Sequence, residues 1–207
     1  MTCIFLNNGI EILSEQKCYS TDSVSLYSVG VGDFNGDNRF YVIIVNNDTG
    51  SIDILMGYFE GFPNAVPYDV DHLALVVLAH DMNNDMILDM ITISEESNTI
   101  TIFLGSSDGS FTYKTTESTG LKPSYAAVED FNHDTNMDVV VVNTGNNTMS
   151  IFFGTGDGTF DDIILFAMPY ESQPFSVAIV DFSHDGKMDI AVINNGTDNL
   201  SIYVQTC

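Results

Sequence analysis

The sequence predicts an all-β protein, a β-propeller built of four-stranded antiparallel blades, and three observations carry that expectation. An Asp-rich loop recurs along the chain: its leading Asp stands at 33, 81, 130 and 181, with spacings of 48, 49 and 51 residues. A period of that size marks copied and stacked supersecondary units. Each loop is followed by a short run that is apolar at nearly every position, as at 139–142, whereas a sheet wet on one face would alternate. No window keeps the i, i+3, i+4, i+7 spacing of an amphipathic helix, while short β-branched and aromatic runs between Gly, Asn and Asp turns dominate. Small sheets packed radially between copies of themselves make a propeller.

Taken in order, residues 3–6 read as a strand, Asn8-Gly9 as a two-residue type I′ turn, and 10–13 as the returning strand. The first full unit then gives strand A at 24–31, the loop at Asp33, strand B at 41–45, a polar turn at 46–50 and strand C at 51–56. The second repeats this order with 73–79, the loop at Asp81, 88–93, 94–98 and 99–104, and closes on a Ser-Asp-Gly turn at 106–111. The third gives 125–128, 138–142, 148–153 and the turn at 155–160; the fourth gives 175–180, 188–193 and 200–204. The expected units are a partial blade at 1–18, then 19–68, 69–117, 118–167 and 168–207. Because neighbouring strands are antiparallel, A–B loops and C–D turns share one face, and B–C turns and D–A connections share the other. Strand counting leaves one C strand in excess. A four-bladed ring closes if the strand at Ile10 pairs with that at Leu200, but the surplus strand favours a segment of a larger propeller, about four blades of which are present.

With 29 acidic and 5 basic residues the net charge is -24, the wrong sign for a nucleic-acid or anionic-membrane surface. A hydrophobic content of 44% supplies a buried core, so disorder is not expected. No apolar run reaches the ~18 residues that span a bilayer, and the start shows no basic, then apolar, leader pattern. Cys3, Cys18 and Cys207 form neither a metal spacing nor a disulfide framework.

The loops carry the chemistry. In 130–138, oxygen-bearing side chains fall at positions one, three, five and nine (Asp130, Asn132, Asp134, Asp138), a spacing that suits a hard cation taking carboxylate, amide and carbonyl oxygens. Asp and Asn also crowd ordinary turns through their own hydrogen bonds, and an Asx-turn network without metal is the competing reading. Electrostatics weighs against it, since crowded carboxylates repel one another and a divalent ion removes that repulsion. An EF-hand needs a Glu at position twelve and flanking helices; here position twelve is Ile44, Thr92, Val141 or Val192, each inside an expected strand.

The pattern Asp-Phe-Asn-x-Asp-x-x-x-Asp, four apolar residues and Asn, followed by Asn-Thr-Met-Ser-Ile-Phe-Phe-Gly-Thr-Gly-Asp-Gly-Thr-Phe at 147–160, resembles FG-GAP/VCBS-type repeats. These are related to the calcium-bearing blades of the integrin α-subunit propeller. The resemblance implies Ca2+ as cofactor, an extracellular or cell-surface setting, and a role in adhesion and ligand binding. It implies as ligands Asp130, Asn132, Asp134, the carbonyl of Asn136 and Asp138 in the third loop. In the second these are Asp81, Asn83, Asp85, the carbonyl of Ile87 and Asp89, and in the fourth Asp181, Ser183, Asp185, the carbonyl of Lys187 and Asp189. The first loop has Asp33, Asn35 and Asp37 but Tyr41 at position nine. The second and third loops are therefore expected to bind best and the first weakly or not at all, with affinities on the order of 10⁻⁴–10⁻³ M.

Other features are weaker. Sequons start at Asn47, Asn146, Asn195 and Asn199, all at B–C turns, where Asn is also a good turn residue. His133 and His184 hold loop position four, pointing away from a cation, and Phe34, Phe131 and Phe182 at position two are expected to pack beneath the loop. The D–A connections carry tyrosines next to prolines (Tyr68, Tyr125, Tyr170), which suit sugar or protein contacts as well as filling between blades. No nucleophile, zinc or phosphate-binding signature is present. The expected function is a non-enzymatic calcium-binding module whose face opposite the loops meets a protein ligand. A lectin-like glycan binder is the alternative, and a propeller-scaffold enzyme a third reading.

Overall fold

A computed structural model of the chain describes residues 2–6, 15–19, 26–46, 50–57, 65–70 and 74–206. These contain strands and turns and no helix. Strands β3 (Leu26–Gly32), β4 (Tyr41–Asn46), β5 (Ser51–Leu55) and β6 (Ala65–Asp69) form the first blade, antiparallel and in chain order. The second is β7 (Val76–His80), β8 (Asp89–Ser94), β9 (Thr99–Gly105) and β10 (Phe111–Ser118). The third is β11 (Pro123–Glu129), β12 (Asp138–Asn143), β13 (Thr148–Gly154) and β14 (Phe160–Ala167). The fourth blade has three strands, β15 (Pro174–Val180), β16 (Asp189–Asn194) and β17 (Asn199–Tyr203). The four sheets are arranged as the blades of a propeller: A strands of successive blades (β3 and β7, β7 and β11, β11 and β15) lie side by side, and the sheets diverge from there.

The B strands explain the continuous apolar runs. β4, β8 and β12 are buried at every position, because alternate side chains serve opposite interfaces. Val139 and Val141 pack with Ile91, Ile93, Ile100 and Ile102 of the second blade. Val140 and Val142 pack with Val177, Ile190 and Val192 of the fourth. A third cluster joins Phe34, Ile43 and Val45 to Val77, Met90 and Phe103. Burying one such side chain contributes about 1.5–3 kcal/mol.

The chain's first strands depart from expectation. β1 (Thr2–Leu6) pairs with β2 (Glu15–Tyr19), not with 10–13, and the register sets Leu6 opposite Glu15. The Asn8-Gly9 turn and the strand at 10–13 fall outside the described residues, so the closure through Ile10 does too. Among the described residues β17 pairs only with β16. Cys18 is disulfide-bonded, which the odd cysteine count did not suggest, and the strand register sets residue 3 opposite it. Residues 65–69, which include part of the expected first D–A connection, belong to strand β6.

A glycine closes the C strands of the first three blades for a steric reason. A Cβ on Gly57, Gly105 or Gly154 would lie 2.2, 2.4 or 2.1 Å from the carbonyl oxygen of Phe40, Leu88 or Met137. These three carbonyls all belong to loop position eight. Replacing Gly154 with Ala is expected to destabilise the protein by about 3 kcal/mol, since backbone must move; urea unfolding of the variant measures it.

Candidate functional site

The four Asp loops share one backbone path. Positions four and six take positive φ in every copy: Gly36 and Asn38, Asn84 and Met86, His133 and Thr135, His184 and Gly186. Only Gly adopts this region freely, and a β-branched Thr135 there is strained. What holds the path is the position-one carboxylate, which accepts hydrogen bonds from the loop's own amides. Asp130 accepts from Asp134 N (3.0 Å) and Thr135 N (2.9 Å). Asp81 accepts from Asp85 N (3.1 Å) and Met86 N (2.7 Å), and Asp181 from Asp185 N (3.2 Å) and Gly186 N (2.9 Å). Asp33 accepts from Gly36 N (2.8 Å) and Asn38 N (2.8 Å). Burial works to raise Asp33 and Asp181, yet backbone N–H groups hold both below the usual carboxylate range.

Positions one, three and five are brought together. The amide of Asp134 donates to both Asp130 Oδ1 and Asn132 Oδ1, each at 3.0 Å. The amide of Asp85 likewise meets Asp81 Oδ1 and Asn83 Oδ1, at 3.1 and 3.2 Å. The position-five carboxylate accepts from the amide at position seven: Ile87 N (2.8 Å), Asn136 N (2.8 Å) and Lys187 N (3.0 Å). In the first loop Arg39 N donates to Asp37 in the same way. The fourth loop's Ser183 supplies a hydroxyl that donates to Asp181 Oδ1 at 3.4 Å.

Position nine does something the sequence reading missed. Asp89, Asp138 and Asp189 are fully buried, each joining the loop above to the C strand beside it. Asp138 Oδ2 accepts from Phe131 N (2.9 Å) and Asn132 N (3.3 Å), while its Oδ1 accepts from Gly154 N (2.8 Å). Asp89 bonds Met82 N and Gly105 N, and Asp189 bonds Phe182 N, Ser183 N and Gln205 N. Burial pushes Asp89 up to about 6 against the pull of those N–H groups, and the charges of Asp85 and Asp81 push the same way. Asp138 is raised for the same reasons, with Asp134 as the neighbouring charge. In the first loop the Tyr41 hydroxyl donates to Asp37 Oδ2 at 3.4 Å, so no carboxylate lies below it.

The donor type in loops two to four fits a hard divalent cation, since all donors are oxygen, and in loops two and three the buried carboxylate is also disfavoured by acidic neighbours. Among the described residues no three acidic, histidine or cysteine side chains converge closely enough to hold a metal as they stand. His133 and His184 are exposed at position four. Phe34 and Phe131 pack into the inter-blade clusters as expected, whereas Phe182 is largely exposed.

Neighbouring loops touch. Asn84 Nδ2 donates to Asn136 Oδ1 at 3.1 Å, Gly158 N donates to Met82 O at 3.0 Å, and Lys114 pairs with Asp157 at 3.3 Å. A–B loops and C–D turns therefore meet on one face. On the other, connections and B–C turns are laced by bonds such as Lys122 N to Asn98 Oδ1 (2.7 Å) and Gln173 N to Asn147 Oδ1 (2.8 Å).

The FG-GAP-like repeat pattern matches this sequence twice, over residues 81–141 and 130–192, more than half of the chain. The chain belongs to the FG-GAP-like repeat family. Both matches start at a position-one Asp, so these FG-GAP-like repeats are framed by the loops just described. No curated protein matches the chain. Among solved structures it is similar to BBS1N, crystallised in complex with ARL6DN (TM-score 0.58, 14% identity, 87% of this chain and 57% of that one). It is also similar to a Lactobacillus plantarum protein (TM-score 0.57, 8% identity, 93% and 59%). A functionally unknown protein from Desulfotomaculum acetoxidans matches comparably (TM-score 0.56, 15% identity, 93% and 58%). At these identities the likeness concerns the fold alone, and the chain spans under three fifths of each structure's length.

Proposed function

We propose that these FG-GAP-like repeats form a non-enzymatic, calcium-stabilised propeller module that presents the face opposite its Asp loops to a protein outside the cell. The observation that carries this reading is repetition: the same oxygen-lined loop, wired by the same amide bonds, recurs once per blade rather than converging on one pocket. Asp81, Asn83, Asp85, Asp89 and the carbonyl of Ile87 would hold one ion. Asp130, Asn132, Asp134, Asp138 and the carbonyl of Asn136 would hold a second. Asp181, Ser183, Asp185, Asp189 and the carbonyl of Lys187 form a poorer third site, because a neutral hydroxyl replaces an amide oxygen. Asp33, Asn35 and Asp37 lack the carboxylate below and bind least. Bound calcium supplies charge neutralisation and a cross-link; the side chains orient the loop between strands A and B.

The disulfide at Cys18 favours an oxidising compartment. No helix among the described residues is long and apolar enough to cross a membrane. Of the sequons, Asn195 stands exposed in its turn, whereas the Asn146 carbonyl oxygen already accepts from Leu121 N and from the Thr148 hydroxyl; Asn47 falls outside the described residues. A protein partner is in keeping with BBS1N, whose structure is a complex with ARL6DN. Equilibrium dialysis against calcium tests the reading. Two strong sites, with a third weaker, are expected in the range of about 10⁻⁴–10⁻³ M, and a chain that retains no calcium at ~10 mM overturns it.

A further inference from the structure

We propose that a cavity of about 410 Å³ between the first and second blades binds a neutral saccharide of one or two rings. The inference is independent of the calcium loops. It starts where the repeat breaks its own rule. Position twelve faces the preceding blade, and it is apolar in three copies (Ile44, Val141, Val192) but Thr92 in the second. The register puts Thr92 opposite Thr101, and Thr101 opposite Thr116. The last two hydroxyls lie 2.9 Å apart, and all three residues line the cavity. A row of three hydroxyls therefore crosses the sheet, where the same row of the third blade is Val141, Ser150 and Leu165.

Aromatic rings form the rest of the wall. Tyr68, Phe103 and Tyr113 line the same cavity, linked edge to face with centroids 5.8 Å (Tyr68 to Phe103) and 6.2 Å (Phe103 to Tyr113) apart. Of the two roles the sequence offered for Tyr68, contact and filling between blades, the structure shows the second. Tyr68 is partly buried, and its hydroxyl donates to Phe111 O at 2.7 Å, which fixes the ring from the first blade against the second. Tyr113 is 59% exposed and offers a ring to solvent. Ser94 and Thr99, at either end of the second B–C turn, also line the cavity, which places it toward the face opposite the Asp loops.

This lining selects a chemistry. No lining side chain is ionised at neutral pH, so a charged ligand finds no counter-charge, and the chain's net charge of -24 further repels anions. A wholly apolar ligand would strip water from the threonine hydroxyls without replacing its hydrogen bonds. A saccharide satisfies both walls: its C–H faces stack on the rings and its hydroxyls bond the threonine row. The volume falls within the range of small-molecule sites.

The test is saturation-transfer NMR and calorimetric titration of the full chain with glucose, galactose, mannose, N-acetylglucosamine, lactose, cellobiose and maltose, with glucuronic acid as the charged comparison. At least one neutral sugar is expected to saturate with Kd on the order of 1 mM, and glucuronic acid to bind more weakly than its neutral counterpart. Thr92→Val, which installs the residue of the third and fourth copies, and Tyr113→Ala, at an exposed ring, should each weaken binding about tenfold. Their unfolding midpoints should stay near the wild type's. Failure of every sugar to bind at ~50 mM, preference for glucuronic acid, or binding indifferent to both substitutions overturns the proposal.

Discussion

Replacing Asp138 with Ala is expected to lower stability by about 4 kcal/mol in the absence of calcium. The carboxylate is fully buried and accepts from three backbone amides, those of Phe131, Asn132 and Gly154. Removing it leaves three N–H groups without an acceptor in a dry interior, and each costs on the order of 1 kcal/mol or more. Against this, the buried charge itself is disfavoured, as its raised pKa shows. Loss of the three hydrogen bonds should outweigh that relief. Asp138→Asn keeps the volume and one acceptor oxygen and should cost about half as much. Thermal unfolding in chelator measures both; a chain of this size shifts its midpoint by about 2–4 °C per kcal/mol.

A second large effect is expected from calcium itself. With two sites of sub-millimolar affinity, ~10 mM free calcium should add about 3–6 kcal/mol in total. That raises the unfolding midpoint by about 10 °C or more over the chelated protein. The gain comes from charge as much as from cross-linking. Burial pushes Asp89 up to about 6, with the charges of Asp85 and Asp81 acting in the same direction, so the loop without an ion holds its buried carboxylate against acidic neighbours. A doubly charged ion reverses the sign of that interaction. Magnesium should substitute poorly, because it demands near-octahedral geometry and gives up its waters reluctantly.

The fold was readable in residues whose spacing repeats. The leading Asp at 33, 81, 130 and 181 set the period, and the strands from 26 onwards fall within a few residues of expectation because each is bounded by a turn residue. The runs at 41–46, 89–94 and 138–143 announced burial on both faces, and the structure buries every position of them. The first strands were not readable. Asn8-Gly9 is a strong local hairpin signal, yet β1 pairs with 15–19, and local turn chemistry does not reveal a longer-range register.

At the loops, the oxygen-bearing positions were legible but their division of labour was not. Sequence alone cast Asp138 as one ligand among five; its burial and its bond to Gly154, sixteen residues away, appear only once strand C is folded back beside the loop. The glycine at 57, 105 and 154 was a sequence signal for that approach. Thr92 was also visible as an exception at position twelve. Its meaning required Tyr68 to be brought across from the neighbouring blade.

The central claim is that the carboxylates of the second and third loops together hold calcium, and that the buried pair, Asp89 and Asp138, hold the fold as well. Unfolding midpoints of the Asp85→Asn, Asp134→Asn double variant, taken in chelator and in ~10 mM calcium, separate the two roles. The account predicts that the double variant unfolds at or slightly below the wild-type midpoint in chelator, since each carboxylate also accepts hydrogen bonds within its loop, and gains at most about a third of the wild type's calcium shift. A double variant that keeps the full shift, or a wild type whose midpoint is the same in both buffers, contradicts it.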